Sequence, residues 1–248
     1  MNELALFAGA GGGILGGKLL GWRTVCAVEW EPYPASVLCA RQNDGLLPPF
    51  PIWDDIQTFD GNPWRGIVDV VSGGFPCQDI SSVGKGAGIE GERSGMWGQM
   101  ARIIHEVRPR YAFVENSPML TSRGLGRVLG DLASMGFDAR WGVLGAADVG
   151  APHQRNRIWL VASNTVDFRL QKNNEEQGIS PKKKFRSAEQ IGSDWASPFK
   201  EWRMGVVPSG LIRVDDGMAD RVDRVKAIGN GQVPLCAATA WRILNEQK

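Results

Sequence analysis

A cysteine set directly behind a run of β-branched residues is the side chain in this sequence best placed for nucleophilic chemistry. Val70-Val71 runs into Ser72-Gly73-Gly74-Phe75-Pro76-Cys77-Gln78, a strand followed by a loop bent by glycine and proline. A thiol there becomes a nucleophile once partly deprotonated from its ordinary pKa of about 8.5. Cys26, Cys39 and Cys236 read instead as small buried hydrophobes, and no Cys-x-x-Cys spacing occurs, which argues against zinc and against a disulfide scaffold. A second candidate is Glu115, which with Asn116 ends the apolar run at 111–114. Partly buried, it could keep its proton near neutral pH and act as an acid; taken alone, it also suits a helix cap or a surface carboxylate. The third candidate is the glycine-rich stretch Phe7-Ala8-Gly9-Ala10-Gly11-Gly12-Gly13-Ile14-Leu15-Gly16, with Glu29 and Trp30 behind it. Read from Gly11 it matches Gly-x-Gly-x-x-Gly. Glycines there would admit a cofactor, a carboxylate would accept two ribose hydroxyls, and an indole offers a flat face to adenine.

These residues are placed by short apolar runs at 4–7, 25–28, 67–71, 111–114 and 158–161, which read as strands buried on both faces. Helical spacing at 34–41 and 97–107 falls between them. The alternation predicts an open α/β sheet, mostly parallel and Rossmann-like, whose ligands lie beyond the carboxyl ends of its strands. From 165 to about 228 the chain turns polar and irregular, with a basic run at Lys182-Lys183-Lys184-Phe185-Arg186. That stretch reads as a small second lobe between a core of 1–164 and its continuation at 229–248. Gly229-Asn230-Gly231-Gln232-Val233-Pro234 then opens an apolar helix, 235–244, expected to pack back on the core.

With 248 residues, 43% of them hydrophobic and 22% charged, the chain is globular and long enough for one sizeable core. Its net charge of +1 neither draws in nor repels a polyanion. The uncharged stretch at 5–17 follows Glu3 rather than Lys or Arg, so it does not read as an export signal. No run approaches a membrane span. A soluble, cytoplasmic protein without a metal is expected. Glycine is the outlier, 32 of 248 residues, and implies many tight turns or close approaches.

Taken in order, Phe7-x-Gly9-x-Gly11-Gly12, Glu29-Trp30, Asp55-Ile56, Gly74-Phe75-Pro76-Cys77-Gln78, Glu115-Asn116, Arg155-x-Arg157 and Gly229-Asn230-x-x-Val233-Pro234 resemble the cytosine-5 DNA methyltransferases. The resemblance covers 4–161 and 229–244. It implies S-adenosylmethionine as methyl donor, a cytosine in double-stranded DNA as target, and a role of the restriction–modification kind. It assigns Cys77 as the nucleophile at carbon 6, Glu115 as the group facing nitrogen 3, and Arg157 with Arg155 as the groups facing oxygen 2. On the cofactor side it implies that Phe7 stacks on adenine while Gly9, Gly11 and Gly12 pass the methionine moiety. Glu29 would bind the ribose, Trp30 would cover adenine, Asp55 and Ile56 would read its amine, and Pro76 and Asn230 would line the transfer chamber. The segment 78–95 resembles the mobile loop that closes over a base rotated out of the duplex. Gln78, Ser81, Lys85 and Arg93 are its candidate DNA contacts, although Lys85 and Arg93 equally suit solvated loop charges.

The sequence departs from the family at His153, where glutamine is usual, and at Ser117, where valine is usual. The second lobe is short for a target-recognition domain, and no set of base-reading side chains can be placed in it. A nicotinamide- or flavin-dependent oxidoreductase shares the glycine signature but leaves Pro76-Cys77-Gln78 and Glu115-Asn116 unexplained. A DNA-binding relative without turnover and an RNA substrate are further alternatives. A single chain acting as a monomer is expected.

Overall fold

A computed structural model describes residues 1–76, 95–165 and 221–246. Cys77, Gln78, Ser81, Lys85, Arg93, the basic run at 182–186 and most of the expected second lobe lie outside the described residues. By contacts the chain divides into one unit of Met1–Arg169 and Val222–Lys248 and another of Leu170–Arg221.

The first unit is built on a seven-stranded sheet in the order β3-β2-β1-β4-β5-β7-β6. The strands are β1 (Asn2–Leu6), β2 (Arg23–Val28), β3 (Ile52–Trp53), β4 (Val70–Gly73), β5 (Tyr111–Asn116), β6 (Phe137–Leu144) and β7 (Arg157–Asn164). The helices are α1 (Gly12–Leu19), α2 (Pro32–Asn43), α3 (Gly95–Val107), α4 (Leu120–Arg123), α5 (Leu125–Ser134), α6 (Arg221–Asn230) and α7 (Pro234–Glu246). Strands β1 to β5 pair in parallel, whereas β7 runs antiparallel to both β5 and β6. The expected α/β sheet is present and mostly parallel. Strand β6, helix α5 and helix α6 fall in stretches where no element was expected.

Alternation along the strands divides the core. Leu4, Leu6, Val71, Ala112 and Val114 face α3 and α5, which present Trp97, Met100, Ile103, Ile104, Val107, Leu125, Val128 and Leu132 at helical spacing. Val70, Tyr111, Phe113, Trp159 and Val161 face the other way, onto Ala237, Ala240 and Trp241 of α7. Ala5 and Ala27 meet Ile14 and Leu38, from α1 and α2. With helices on both faces, each central strand is buried throughout, which is why the strands read as continuous apolar runs. Pro234 sits at the first position of α7, where its missing N–H costs nothing. Cys26 and Cys236 are buried as expected, but Cys39 is exposed, because α2 turns it away from the stripe that buries Pro34 and Leu38.

Strand order reverses between β1 and β4, so the loops leaving their carboxyl ends diverge and open a crevice, the usual ligand position in such sheets. Among the described residues no helix is long and apolar enough to cross a membrane, and no His, Cys, Asp and Glu cluster suits a metal.

Candidate active site

The crevice is lined by Phe7, Gly9, Ser72, Gly74, Glu115 and the segment Asn230–Gln232, among others. Its first wall is the turn between β1 and α1. Phe7 has φ 51° and Gly9 has φ 55°. A non-glycine residue in this region is strained by roughly 1–3 kcal/mol, and such strain concentrates at ligand sites. A Cβ on Gly9 would meet nothing within 4 Å, so the turn leaves open space beside its backbone.

Glu29, at the tip of β2, is buried with both oxygens engaged: Gly9 N–H donates to Oε2 at 2.6 Å and Glu31 N–H donates to Oε1 at 2.7 Å. Burial raises its pKa, and the two amides oppose the shift. A carboxylate has about four lone-pair positions, so two ribose hydroxyls can still be accepted. Trp30 beside it is 71% exposed, its indole free to cover a ring. Asp55 spends one carboxylate oxygen on Gln57 N–H at 2.8 Å, and Ile56 is buried.

Arg102 of α3 clamps this loop, donating to the carbonyls of Ile56 at 2.7 Å and Phe59 at 2.9 Å while pairing with Glu106 at 2.8 Å. Glu106 in turn accepts from Gly61 N–H at 2.8 Å. Sequence reading missed this clamp, and an i,i+4 Arg–Glu pair on a helix gives no sign that it grips a distant loop.

The opposite wall carries the acid. Glu115, only 8% exposed at the end of β5, pairs through Oε1 with Arg157 Nε at 2.8 Å. Burial pushes its pKa up, opposed first by the charges of Arg157 and Arg155. Arg155 donates to the Gly231 carbonyl at 2.6 Å, which ties the segment before α7 to this wall. Asn116 Nδ2 donates to the Phe75 carbonyl at 3.1 Å and fixes the backbone two residues ahead of Cys77. Pro76 is exposed at the end of that backbone.

The structure thus brings Phe7, Gly9, Glu115 and Asn230 to one crevice, with Glu29 bonded to Gly9, Arg157 paired with Glu115 itself and Arg155 bonded to the Gly231 carbonyl. Gly11 and Gly12 do not line it. Gly11 turns with φ 92° over Leu38, and a Cβ on Gly12 would strike the Gln232 carbonyl, so part of the glycine excess serves packing of α1 against the segment before α7. Gln232 itself lies in the crevice, its Nε2 3.5 Å from Glu115 Oε2. In the sequence it was one of two unspecified positions in the Gly229-Asn230 motif.

An open, doubly wound sheet with a carboxylate gripping the glycine turn and a buried acid across the switch-point crevice defines an α/β protein whose candidate ligand site lies at the carboxyl ends of its strands. More narrowly, the family model for C-5 cytosine-specific DNA methylase matches residues 1–201, and the chain belongs to that family. It is 34% identical over 172 residues to the type II methyltransferase M.NgoBI of Neisseria gonorrhoeae, covering 67% of this chain and 52% of that one. It is 34% identical over 170 residues to M.Eco47II of Escherichia coli, covering 64% and 38%. The chain thus matches about half the length, or less, of these curated relatives. In fold it is similar to the solved methyltransferase EhMeth of Entamoeba histolytica, with a TM-score of 0.66 at 13% identity over 100% of this chain and 99% of that one. The oxidoreductase reading of the glycine signature is not favoured.

Proposed function

We propose that the chain is a DNA (cytosine-5-)-methyltransferase, acting as a monomer on a cytosine turned out of double-stranded DNA. The observation that carries this is Glu115: a buried acid, paired on one oxygen with Arg157, across the crevice from the cofactor turn and bordered by the backbone that leads into Cys77. Family membership supports the reaction class.

Carbon 5 of cytosine is a weak nucleophile while the ring stays aromatic. Cys77, as thiolate, adds to carbon 6 and breaks that aromaticity. Glu115 meets the charge that develops at nitrogen 3 by donating a hydrogen bond or its proton. Arg157, with donors beyond those used on Glu115 and the Asn156 carbonyl, and Arg155 orient oxygen 2 so that the base stands correctly beside the thiolate. S-adenosylmethionine supplies an electrophilic methyl group on its sulfonium, and the open space at Gly9, the carboxylate of Glu29 and the free face of Trp30 fit its adenosyl part. After methyl transfer a base removes the carbon-5 proton and Cys77 leaves as thiolate, restoring the ring. Gln78, Ser81, Lys85 and Arg93 are proposed to contact the DNA as their loop closes over the flipped base, and residues 165–228 to read the sequence around the target.

Transfer of labelled methyl from S-adenosylmethionine to unmethylated, mixed-sequence duplex DNA tests the reading. Incorporation should occur on DNA, exceed that on transfer RNA, and vanish in Cys77→Ser. Incorporation persisting in that variant contradicts the covalent route, and preference for transfer RNA contradicts the substrate. Bisulfite sequencing of DNA from expressing cells then gives the sequence context.

A further inference from the structure

Three glycines from two separate motifs are vacated around one residue, Gly12 around its backbone and Gly13 and Gly74 around its side chain. A Cβ on Gly12 would collide with the Gln232 backbone carbonyl, one on Gly13 would sit 2.5 Å from Gln232 Oε1, and one on Gly74 would sit 3.1 Å from Gln232 Nε2 and 2.5 Å from Glu115 Oε2. The backbone beneath is fixed, because Arg155 holds the Gly231 carbonyl at 2.6 Å. The slot between β1 and β4 is therefore shaped for a long carboxamide that reaches from the first turn of α1 to the acid.

The two oxygens of Glu115 are not equivalent. Oε1 is committed to Arg157 at 2.8 Å, whereas among the described residues Oε2 has only the Gln232 amide at 3.5 Å. A proton on Glu115 therefore resides on Oε2, the oxygen that faces Gln232. A carboxamide carries a donor at one end and an acceptor at the other. Rotated one way it donates N–H to the anion; rotated by half a turn it accepts O–H from the acid. At 3.5 Å the contact is at the limit of a hydrogen bond, so it yields readily when nitrogen 3 of a base arrives at Oε2. Among the described residues the charges that act on Glu115 are those of Arg157 and Arg155; Gln232 is the neutral partner.

We propose that Gln232 is a positioning residue for the acid: seated in the slot made by Gly12, Gly13 and Gly74, it holds the Oε2 edge of Glu115 in either ionisation state and releases that edge to the base. This rests on the methyltransferase reading and deepens it. Methionine fills nearly the same volume without donor or acceptor, so Gln232→Met is the informative variant.

Methyl transfer to mixed-sequence duplex DNA should show kcat lowered about tenfold, a threefold change at most in KM for S-adenosylmethionine, and the limb of the pH profile that reports Glu115 moved upward, since the anion has lost a donor. Because Gln232 acts through Glu115, adding Gln232→Met to Glu115→Gln should cause no further loss. An unchanged kcat and pH profile in Gln232→Met, a defect confined to KM, or full additivity in the double variant overturns the proposal. Should Gln232→Met fail to fold, Gln232→Leu with the same pH profile decides by the same outcomes. A fully active Glu115→Gln overturns the underlying reading instead, so the two failures are distinct.

Discussion

Glu3 is 1% exposed in the middle of the sheet, and replacing it with glutamine should remove a pH dependence from the stability of the fold. Its carboxyl lies between β1, β2 and β4, accepting Ser72 Oγ–H at 2.6 Å and Thr24 Oγ1–H at 2.7 Å, with no cation among its partners in the described residues. Burial raises its pKa from 4.5 to about 7, although the two hydroxyls oppose the shift. Because the native value lies above the unfolded one, the folded protein binds a proton that the unfolded chain has lost between pH 4.5 and 7. The stability this proton confers is complete below about pH 4.5 and is lost as pH rises to about 7. At 1.36 kcal/mol per pKa unit, a shift from 4.5 to about 7 corresponds to about 3 kcal/mol as an order of magnitude. Glu3→Gln keeps the shape and cannot ionise. Urea unfolding followed by tryptophan fluorescence, at intervals from pH 5 to 8.5, should show the variant close to wild type at the acid end and more stable by up to about 3 kcal/mol at the alkaline end. Other titrating groups cancel in the difference. A flat difference across that range, or a variant less stable than wild type at pH 8.5, refutes the assignment of this cost to Glu3.

Gly12→Ala should destabilise the fold by roughly 1–3 kcal/mol or more through overpacking against the Gln232 carbonyl, and should raise KM for S-adenosylmethionine because the segment before α7 must move; equilibrium unfolding and initial rates check both. Arg102→Ala leaves Glu106 without its cation and the Ile56 and Phe59 carbonyls without donors, so a stability loss of about 1–3 kcal/mol is expected. Its KM for the cofactor should rise more than kcat falls, measured by methyl-transfer kinetics. Lys226 of α6 meets both oxygens of Glu31 at 2.7 Å, and the Glu31 amide holds Glu29. The swap Glu31→Lys with Lys226→Glu should restore cofactor affinity that each single change lowers by about two- to fivefold, an effect that added salt should shrink. Calorimetric titration with S-adenosylhomocysteine reads it, and equal losses in single and double variants would dissociate the pair from the cofactor edge.

Burial decides which elements were legible in the sequence. The runs at 4–7, 25–28, 67–71, 111–114 and 158–161 are strands because central strands covered on both faces carry unbroken apolar sequence, and all overlap observed strands. Strand β6 escaped because it is an edge strand: its burial alternates and its exposed positions include Asp138 and Trp141, a mixed pattern that does not stand out from a loop. Helix α5 escaped because Gly124, Gly126 and Gly130 punctuate its amphipathic stripe. In the site, single residues at strand tips such as Glu29 and Glu115 could be picked out from local signals, since a carboxyl group ending an apolar run is conspicuous. Their partners could not, because Gly9 to Glu29, Arg157 to Glu115 and Gln232 to Glu115 are contacts across 20, 42 and 117 positions of chain.

The direction of β7 is the clearest case of a feature that local sequence conceals and the site depends upon. Residues 158–161 look the same whichever way they run. Because β7 is antiparallel to β5, with Ile158 opposite Asn116 and Trp159 opposite Glu115, its first residue, Arg157, stands at the carboxyl end of β5, beside Glu115. A parallel β7 would begin at the far edge of the sheet, about 20 Å away for a six-residue strand at 3.3 Å per residue, and Glu115 would be buried without a cation. The reversal also brings Arg155, two residues earlier, over the crevice to hold the Gly231 carbonyl. One inverted strand therefore supplies the counter-charge of Glu115 and anchors the segment that carries Gln232.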